Sequence, residues 1–384
     1  FIYFFMKLEY ASYYRKNMKI KKISQKIFKT FFQKLFILLY GKIKENSDLD
    51  KIGVKKITLN NVKSDLKPEK KYSIYELSNG RIYTDTIQNV AIIKNNILVP
   101  NISFQQVNGE LKSISFNSVL KQGTPRIKKK FNGTVFSMIQ GASGNNYFHF
   151  LFDIITRLKL CKEKYPLDNI DYFYVPGTYN WQKKILKIFG IENDRLINSQ
   201  INRHIEADKI LAVDHPWYYK GNIHDEVQNL PSWAILWLRN KFINMATKFN
   251  CNDKIFIDRS ESQFKHCQFQ NNKEIITFLN SKGFTSYKIG QLDFFEQIYL
   301  FNNAKIIIGP HGAAFSNIIF CKPKTNIIEI LPETHPSKKC VRLSKILNLN
   351  HNRITTPEVT SSEKELGDIK FEIKKMNEII EKII

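Results

Sequence analysis

Apolar and polar positions along the chain change period several times, and the clearest change lies between Ile306 and Ile330. An apolar run, Ile306-Ile307-Ile308, meets a Gly309-Pro310-His311-Gly312 break. Then come Ala313-Ala314-Phe315-Ser316-Asn317-Ile318-Ile319-Phe320, with helical spacing, and a second apolar run, Ile327-Ile328-Glu329-Ile330. The pattern reads as strand, tight loop, helix and strand, a βαβ unit. Such a unit aims unpaired helix N–H groups beyond the strand's carboxyl end, where an anion fits. An ordinary crossover whose glycines only permit the turn is the alternative. His311 at the loop tip favours a ligand-facing role over core packing.

The same pattern organises the rest of the chain. Short β-type runs at Tyr72–Tyr75, Val90–Ile93 and Ile97–Val99 are separated by Asn and Gly turns, and residues 122–130 read as a loop. From residue 133 onward strands and helices alternate: strand 133–139, helix 147–158, strand 172–175, helix 181–189, strand 209–213 and helix 233–249. Past a polar break at 250–253 the alternation resumes with strand 255–257, helix 272–279, strand 284–289 and helix 292–303, and it closes with a helix from about Ser362 to Ile384. Repeated βα alternation predicts parallel sheets with helices on both faces and ligands beyond the strands' carboxyl ends. The expected divisions are 1–70, 71–249, 250–350 and 351–384.

Within the predicted helix at 147–158, His149, Asp153 and Arg157 recur every four residues and so share one face. An imidazole beside a carboxylate is the usual equipment for taking a proton from a hydroxyl. A self-contained surface ladder is the alternative. Arg259 follows the strand at 255–257, and Glu329 sits inside an apolar strand, where a carboxylate must find hydrogen-bond donors. Arginine, a helix N-terminus and a carboxylate at the ends of one sheet suit a nucleoside diphosphate. Neither GxGxxG nor GxxxxGK[ST] occurs in the C-terminal half.

Composition adds charge to this picture. The 384 residues carry 59 Lys+Arg against 35 Asp+Glu, a net charge of +24, and 43% are hydrophobic. Length predicts two domains, and the charge calls for an anionic partner. Much of the excess is local: residues 1–70 hold 17 Lys/Arg and 6 Asp/Glu, and 11–44 hold no acid. Between Arg15 and Lys44 apolar residues recur at helical steps among lysines, a basic amphipathic helix suited to an anionic membrane surface or to packing on its own domain. Its longest apolar run, 35–40, falls far below the roughly 20 residues of a membrane span. Five scattered cysteines without a CxxC pair predict a reducing compartment, with neither a disulfide framework nor a zinc site.

The residues Asn146-Tyr147-Phe148-His149-Phe150-Leu151-Phe152-Asp153, Arg259, Glu296-Gln297, Gly309-Pro310-His311-Gly312-Ala313 and Ile328-Glu329-Ile330 stand in the order found in glycosyltransferase family 61. The resemblance spans roughly residues 133–332 and is read as that of a bacterial capsule- or lipopolysaccharide-type member. It implies a GT-B architecture, with two Rossmann-like domains facing a cleft, and inverting transfer from a nucleotide sugar without a metal or other cofactor. By the same resemblance Arg259, Gly309, Pro310, His311, Gly312, Ala313 and Asn317 hold the donor diphosphate, and Glu329 lies near its ribose. His149 and Asp153 face the acceptor, a glycan or glycolipid, with Asp153 the first choice of base and His149 the second. The chain departs from the family at a further Arg after Arg259, replaced by Lys265 or His266, and at an Asn-Glu pair, replaced by Asn271-Asn272. Ala314-Phe315-Ser316 also replaces the more usual Gly-Leu-Thr. The location expected is the cytoplasm, at the inner membrane face. Two rivals stand beside this reading. One is a non-catalytic GT-B scaffold binding glycan or partner proteins. The other is a nucleic-acid-binding protein, for which no recognised module interleaves aromatics with Lys/Arg.

Overall fold

A computed structural model describes residues 30–66, 69–86, 89–139, 144–262, 267–360 and 367–383. Among these, twelve strands form one mixed sheet and five form a separate parallel sheet. Part of the larger sheet follows the predicted alternation. The strands Lys129–Ser137, Tyr172–Val175, Leu196–Asn198 and His204–Val213 run parallel to one another. Helices at 147–162 and Asn180–Lys187 make two of the crossovers.

The other half of that sheet corrects the expectation of two all-parallel sheets. Strand Tyr72–Thr86 lies antiparallel to His204–Val213, and Lys55–Leu59, Asn89–Lys94, Phe104–Val107 and Glu110–Leu111 extend the antiparallel side. Turn chemistry is the reason. Asn95-Asn96 and Asn108-Gly109 all have positive φ, which closes two-residue hairpins, and a hairpin can join only antiparallel strands.

In the second sheet Thr285–Tyr287, Lys254–Ile257, Ile306–Pro310, Asn326–Pro332 and Asn350–Thr356 lie side by side, all parallel, as a Rossmann-like unit requires. Ile306–Ile308 and Ile327–Leu331 are buried apart from a trace at Ile306, consistent with strands covered on both faces. Register sets Gly309 beside Glu329 and Pro310 beside Ile330. Gly309 answers a packing demand: a Cβ there would stand 2.8 Å from the Ile257 Cβ and 3.1 Å from its carbonyl oxygen. Gly309→Ala therefore overpacks the centre of the sheet and is expected to cost about 1–3 kcal/mol in urea unfolding. An unchanged midpoint would show that the strands part freely there.

Three helices differ from expectation. The segment after Gly312 is a 3-10 helix, Ala313–Phe320, wound tightly under the sheet end. The basic N-terminal helix is seen over 30–40 and stops at Gly41, whose φ is +83, before a short strand at Lys44–Glu45. Its expected first half, from Arg15, lies outside the described residues. The C-terminal helix is Ile373–Glu381, because Asp368–Ile369 is spent on a strand paired with Glu358–Thr360. No helix among the described residues is long and apolar enough to cross a membrane. One apolar core runs from the larger sheet through Phe242, Phe294, Phe315 and Phe320 to Ile307 and Ile327, so the two sheets share it.

Candidate functional site

The chain from Tyr147 to Lys162 is one helix that widens to a π turn over Phe150–Ile155. The widened turn carries Asp153, and such turns recur at functional sites. His149 Nδ1 lies 2.8 Å from Asp153 Oδ2, as the four-residue spacing predicts. Trp217 Nε1 donates to the other carboxylate oxygen at 2.7 Å. His215 accepts backbone N–H bonds from Trp217 and Tyr218 on Nδ1, which places its own proton on Nε2, 3.7 Å from Asp153 Oδ2. Burial pulls the Asp153 carboxyl upward. His149 and His215 outweigh it and hold the group well below the usual carboxylate range.

These contacts exclude the surface-ladder alternative. Asp153 is 1% exposed and Arg157 2%. Arg157 turns inward, donating to the Asp153 carbonyl at 2.8 Å and the Val213 carbonyl at 3.1 Å. His149 is less enclosed and lines a cleft.

A second carboxylate-histidine group stands on the parallel sheet. His311 Nδ1 hydrogen-bonds one oxygen of Glu329, and His351 Nε2 meets the other at 3.0 Å. Glu329 is 1% exposed, so its oxygens face two histidines and not a ribose diol, which corrects the contact expected for it. Burial raises the Glu329 carboxyl and the two histidines more than reverse that, leaving it well below its ordinary value. For His311 the balance goes the other way: desolvation pushes it down to about 4, against the pull of Glu329. Cys340 joins His311 and Glu329 in a buried group whose candidate ligand atoms lie within 4.8 Å of one another. Burial pushes that thiol well above its ordinary value, and a metal would need the thiolate.

Two buried cations complete the arrangement. Arg259 leaves the end of strand Lys254–Ile257 and presses its guanidinium on Gly312, where an added Cβ would stand 1.3 Å from a guanidinium nitrogen. Lys339, at the start of helix Lys339–Leu347, donates from Nζ to the Gly312 carbonyl at 2.9 Å and sits over the Phe148 ring. It is 6% exposed, and among the described residues no carboxylate comes within salt-bridge distance of it. Burial lowers its ammonium, Cys340 and Glu329 oppose, and Arg259 adds to the lowering.

Two clefts meet here. The larger, about 690 Å³, is lined by Arg259, Trp181, Asn145, Ile289, Phe294 and Ala313. The smaller, about 180 Å³, is lined by His149, His224, His311, His335, Lys339 and Gly312. Asn146 and Ala313 line both. Asn317 instead lies fully buried, accepting from the Tyr147 hydroxyl at 2.6 Å and donating to Gln297 at 2.8 Å. It joins the two halves and does not reach either cleft. Gly309 and Pro310 are strand residues beneath the loop.

Sequence reasoning missed His215, Trp217, His335, Lys339 and His351. His215 belongs to an Asp-His-Pro turn after a strand, which was visible but had no motif to give it a role.

The depressed histidines have a consequence for stability. His204, His215 and His311 are each pushed down to about 4, chiefly by burial. An unfolded histidine takes up its proton near pH 6.5, so between about 6.5 and 4 the unfolded chain binds more protons and folding weakens as pH falls. Asp153 and Glu329, held low, extend the loss to more acid pH. Tm is expected to hold above pH 6.5 and to drop steadily from there to pH 4. A flat profile over that window would contradict these environments.

Comparison with curated proteins finds no match. Residues 147–328, the stretch that carries His149, Asp153, Arg259 and the Gly309–Ala313 loop, match the family model described as Glycosyltransferase 61, so the chain contains a glycosyltransferase family 61 domain.

Proposed function

We propose that the protein transfers a sugar, with inversion, from a nucleotide-sugar donor to a hydroxyl of a glycan or glycolipid of a cell-surface polysaccharide, such as a capsule or lipopolysaccharide. The observation that carries this reading is Lys339, a buried ammonium without a carboxylate partner among the described residues, placed beside Arg259 at the mouth of two joined clefts. A buried cation without a counter-ion is costly, and a diphosphate would neutralise it. The larger cleft has the volume of a ligand pocket and takes the nucleoside. Its diphosphate lies towards Arg259, Lys339 and the opening N–H groups of the 313–320 helix, which have no partner within the helix.

Asp153 is not the proton acceptor in this arrangement, since both its oxygens are engaged and its acidity is high. His149 takes that role. Its Nδ1 is held by the Asp153 carboxylate, which leaves Nε2 as the basic nitrogen on the cleft side. The acceptor oxygen attacks the anomeric carbon and loses its proton to Nε2. The bond from that carbon to the diphosphate oxygen breaks, and its electron pair leaves with the phosphate into the field of Arg259 and Lys339. Positive protein groups do here what a bound metal does in other transferases.

A panel of nucleotide sugars with mixed glycan acceptors tests the reading. Release of nucleoside diphosphate, a raised Tm with the cognate donor and a product of opposite anomeric configuration are expected. No release from any donor would overturn it. Donor binding without turnover would leave a scaffold.

A further inference from the structure

The helix over 30–40 is apolar on both sides. Phe32, Phe36, Ile37 and Tyr40 face the protein: Phe36 stacks on Tyr40 at 5.7 Å, the Tyr40 ring meets His204 at 5.1 Å, and Ile37 fills the space a Cβ at Gly123 would need. The opposite stripe, Phe31, Lys34, Leu35, Leu38 and Leu39, is exposed, with Leu38 at 82%. An amphipathic surface helix turns lysines and glutamates outward. This one turns leucines.

The stripe does not stand alone. Beside the helix lies a groove of about 910 Å³, whose far walls are the loops carrying Ile127 and Ile201. These two side chains are 82% and 79% exposed. Arg126, Lys129 and Arg203 line the same groove, Lys34, Lys42 and Lys121 belong to the adjoining segments, and residues 11–44 and 111–152 contain no acid at all. Apolar tips from three separate segments, set among an excess of cations beside which Glu206 and Asp208 pair with Lys128 and Lys130, match the boundary of a bilayer, where acyl chains lie beneath charged headgroups.

We propose that this face docks on an anionic lipid bilayer, with Phe31, Leu35, Leu38, Leu39, Ile127 and Ile201 reaching the acyl boundary and the lysines and arginines meeting the headgroups. Charge complementarity selects anionic lipid as the occupant. The face is distinct from the sugar-transfer clefts, so the test needs no donor and its outcome is separable from the enzymatic one.

The full chain is mixed with vesicles of phosphatidylcholine alone or with an equal share of phosphatidylglycerol, and bound protein is read by sedimentation. Binding to the anionic vesicles only, declining with added NaCl, is expected. A Leu38→Glu/Ile201→Glu double variant, altered only at exposed positions, should keep the wild-type Tm and bind about tenfold more weakly or worse. In Leu38→Trp the indole emission should shift to the blue on binding. The proposal falls if anionic vesicles do not retain the chain, or if the double variant binds as before. It also falls if the chain is a dimer that the double variant dissociates, which would make the stripe a contact between copies. Slow labelling of a Leu38→Cys thiol without vesicles would show that the chain's own residues cover it, and would overturn the proposal as well.

Discussion

Changing His149 to alanine is expected to lower kcat about 10²- to 10⁴-fold, the usual worth of a positioned general base, while donor KM stays close to the wild type and Tm falls, because the buried Asp153 carboxylate loses one of its partners. The expectation follows from how the ring is held. His149 touches Asp153 through Nδ1, and Asp153 is fixed in turn by Trp217 and backed by His215, so the imidazole is locked in one orientation with Nε2 towards the cleft. Asp153→Asn separates base from orienter. An asparagine keeps the shape but can present an amide donor to Nδ1, which would move the imidazole proton to Nε2 and block proton uptake. A loss of kcat of the same order is expected, again without a matching rise in donor KM. Full activity in Asp153→Asn would remove its orienting role, and full activity in His149→Ala would remove the base itself. A KM effect alone would mean that the histidine only binds.

Lys339→Met should show the opposite balance between function and stability. In the resting protein the ammonium is buried, its hydrogen bond goes to the Gly312 carbonyl, and Arg259 sits close enough to disfavour its charge. An apolar side chain of similar length removes that burden, so Tm is expected to equal or exceed the wild type. Turnover is expected to fall about 10²- to 10³-fold, as when one preorganised donor to a developing negative charge is lost. Affinity for a free nucleoside diphosphate should weaken with it. A Lys339→Met protein that melts early and turns over normally would make the lysine a packing residue. The converse result is what a site residue gives, since stability is sacrificed at sites that must bind charge.

Much of this geometry was legible because it is local. The His149–Asp153 contact follows from helical spacing, and the strand-loop-helix order at 306–330 follows from the apolar runs. What escaped depends on register and on distant segments. Glu329 visibly needed donors, yet that they are His311 and His351, reached from the loop and from the next strand, depends on how parallel strands align. Lys339 carries no local signature, because its meaning comes from Gly312, twenty-seven residues upstream. The π turn is likewise invisible in a pattern read at 3.6 residues per turn. In the larger sheet, Asn-Asn and Asn-Gly turns were seen, but weighing them as antiparallel hairpins would have shown that residues 72–111 do not continue the βα alternation.

The core common to both sheets bears on how freely such a protein can be recombined. Phe294 packs against Tyr147, Phe242 and Phe320, and Arg239 donates to the carbonyls of Ile319 and Cys321 across the same seam. Cutting the chain near residue 250 would therefore leave each piece with an open apolar face and orphaned carbonyls. Donor preference in this protein is not a cassette to be exchanged by joining one half to a relative's other half. It would have to be altered by substitutions that respect both sides of the seam at once.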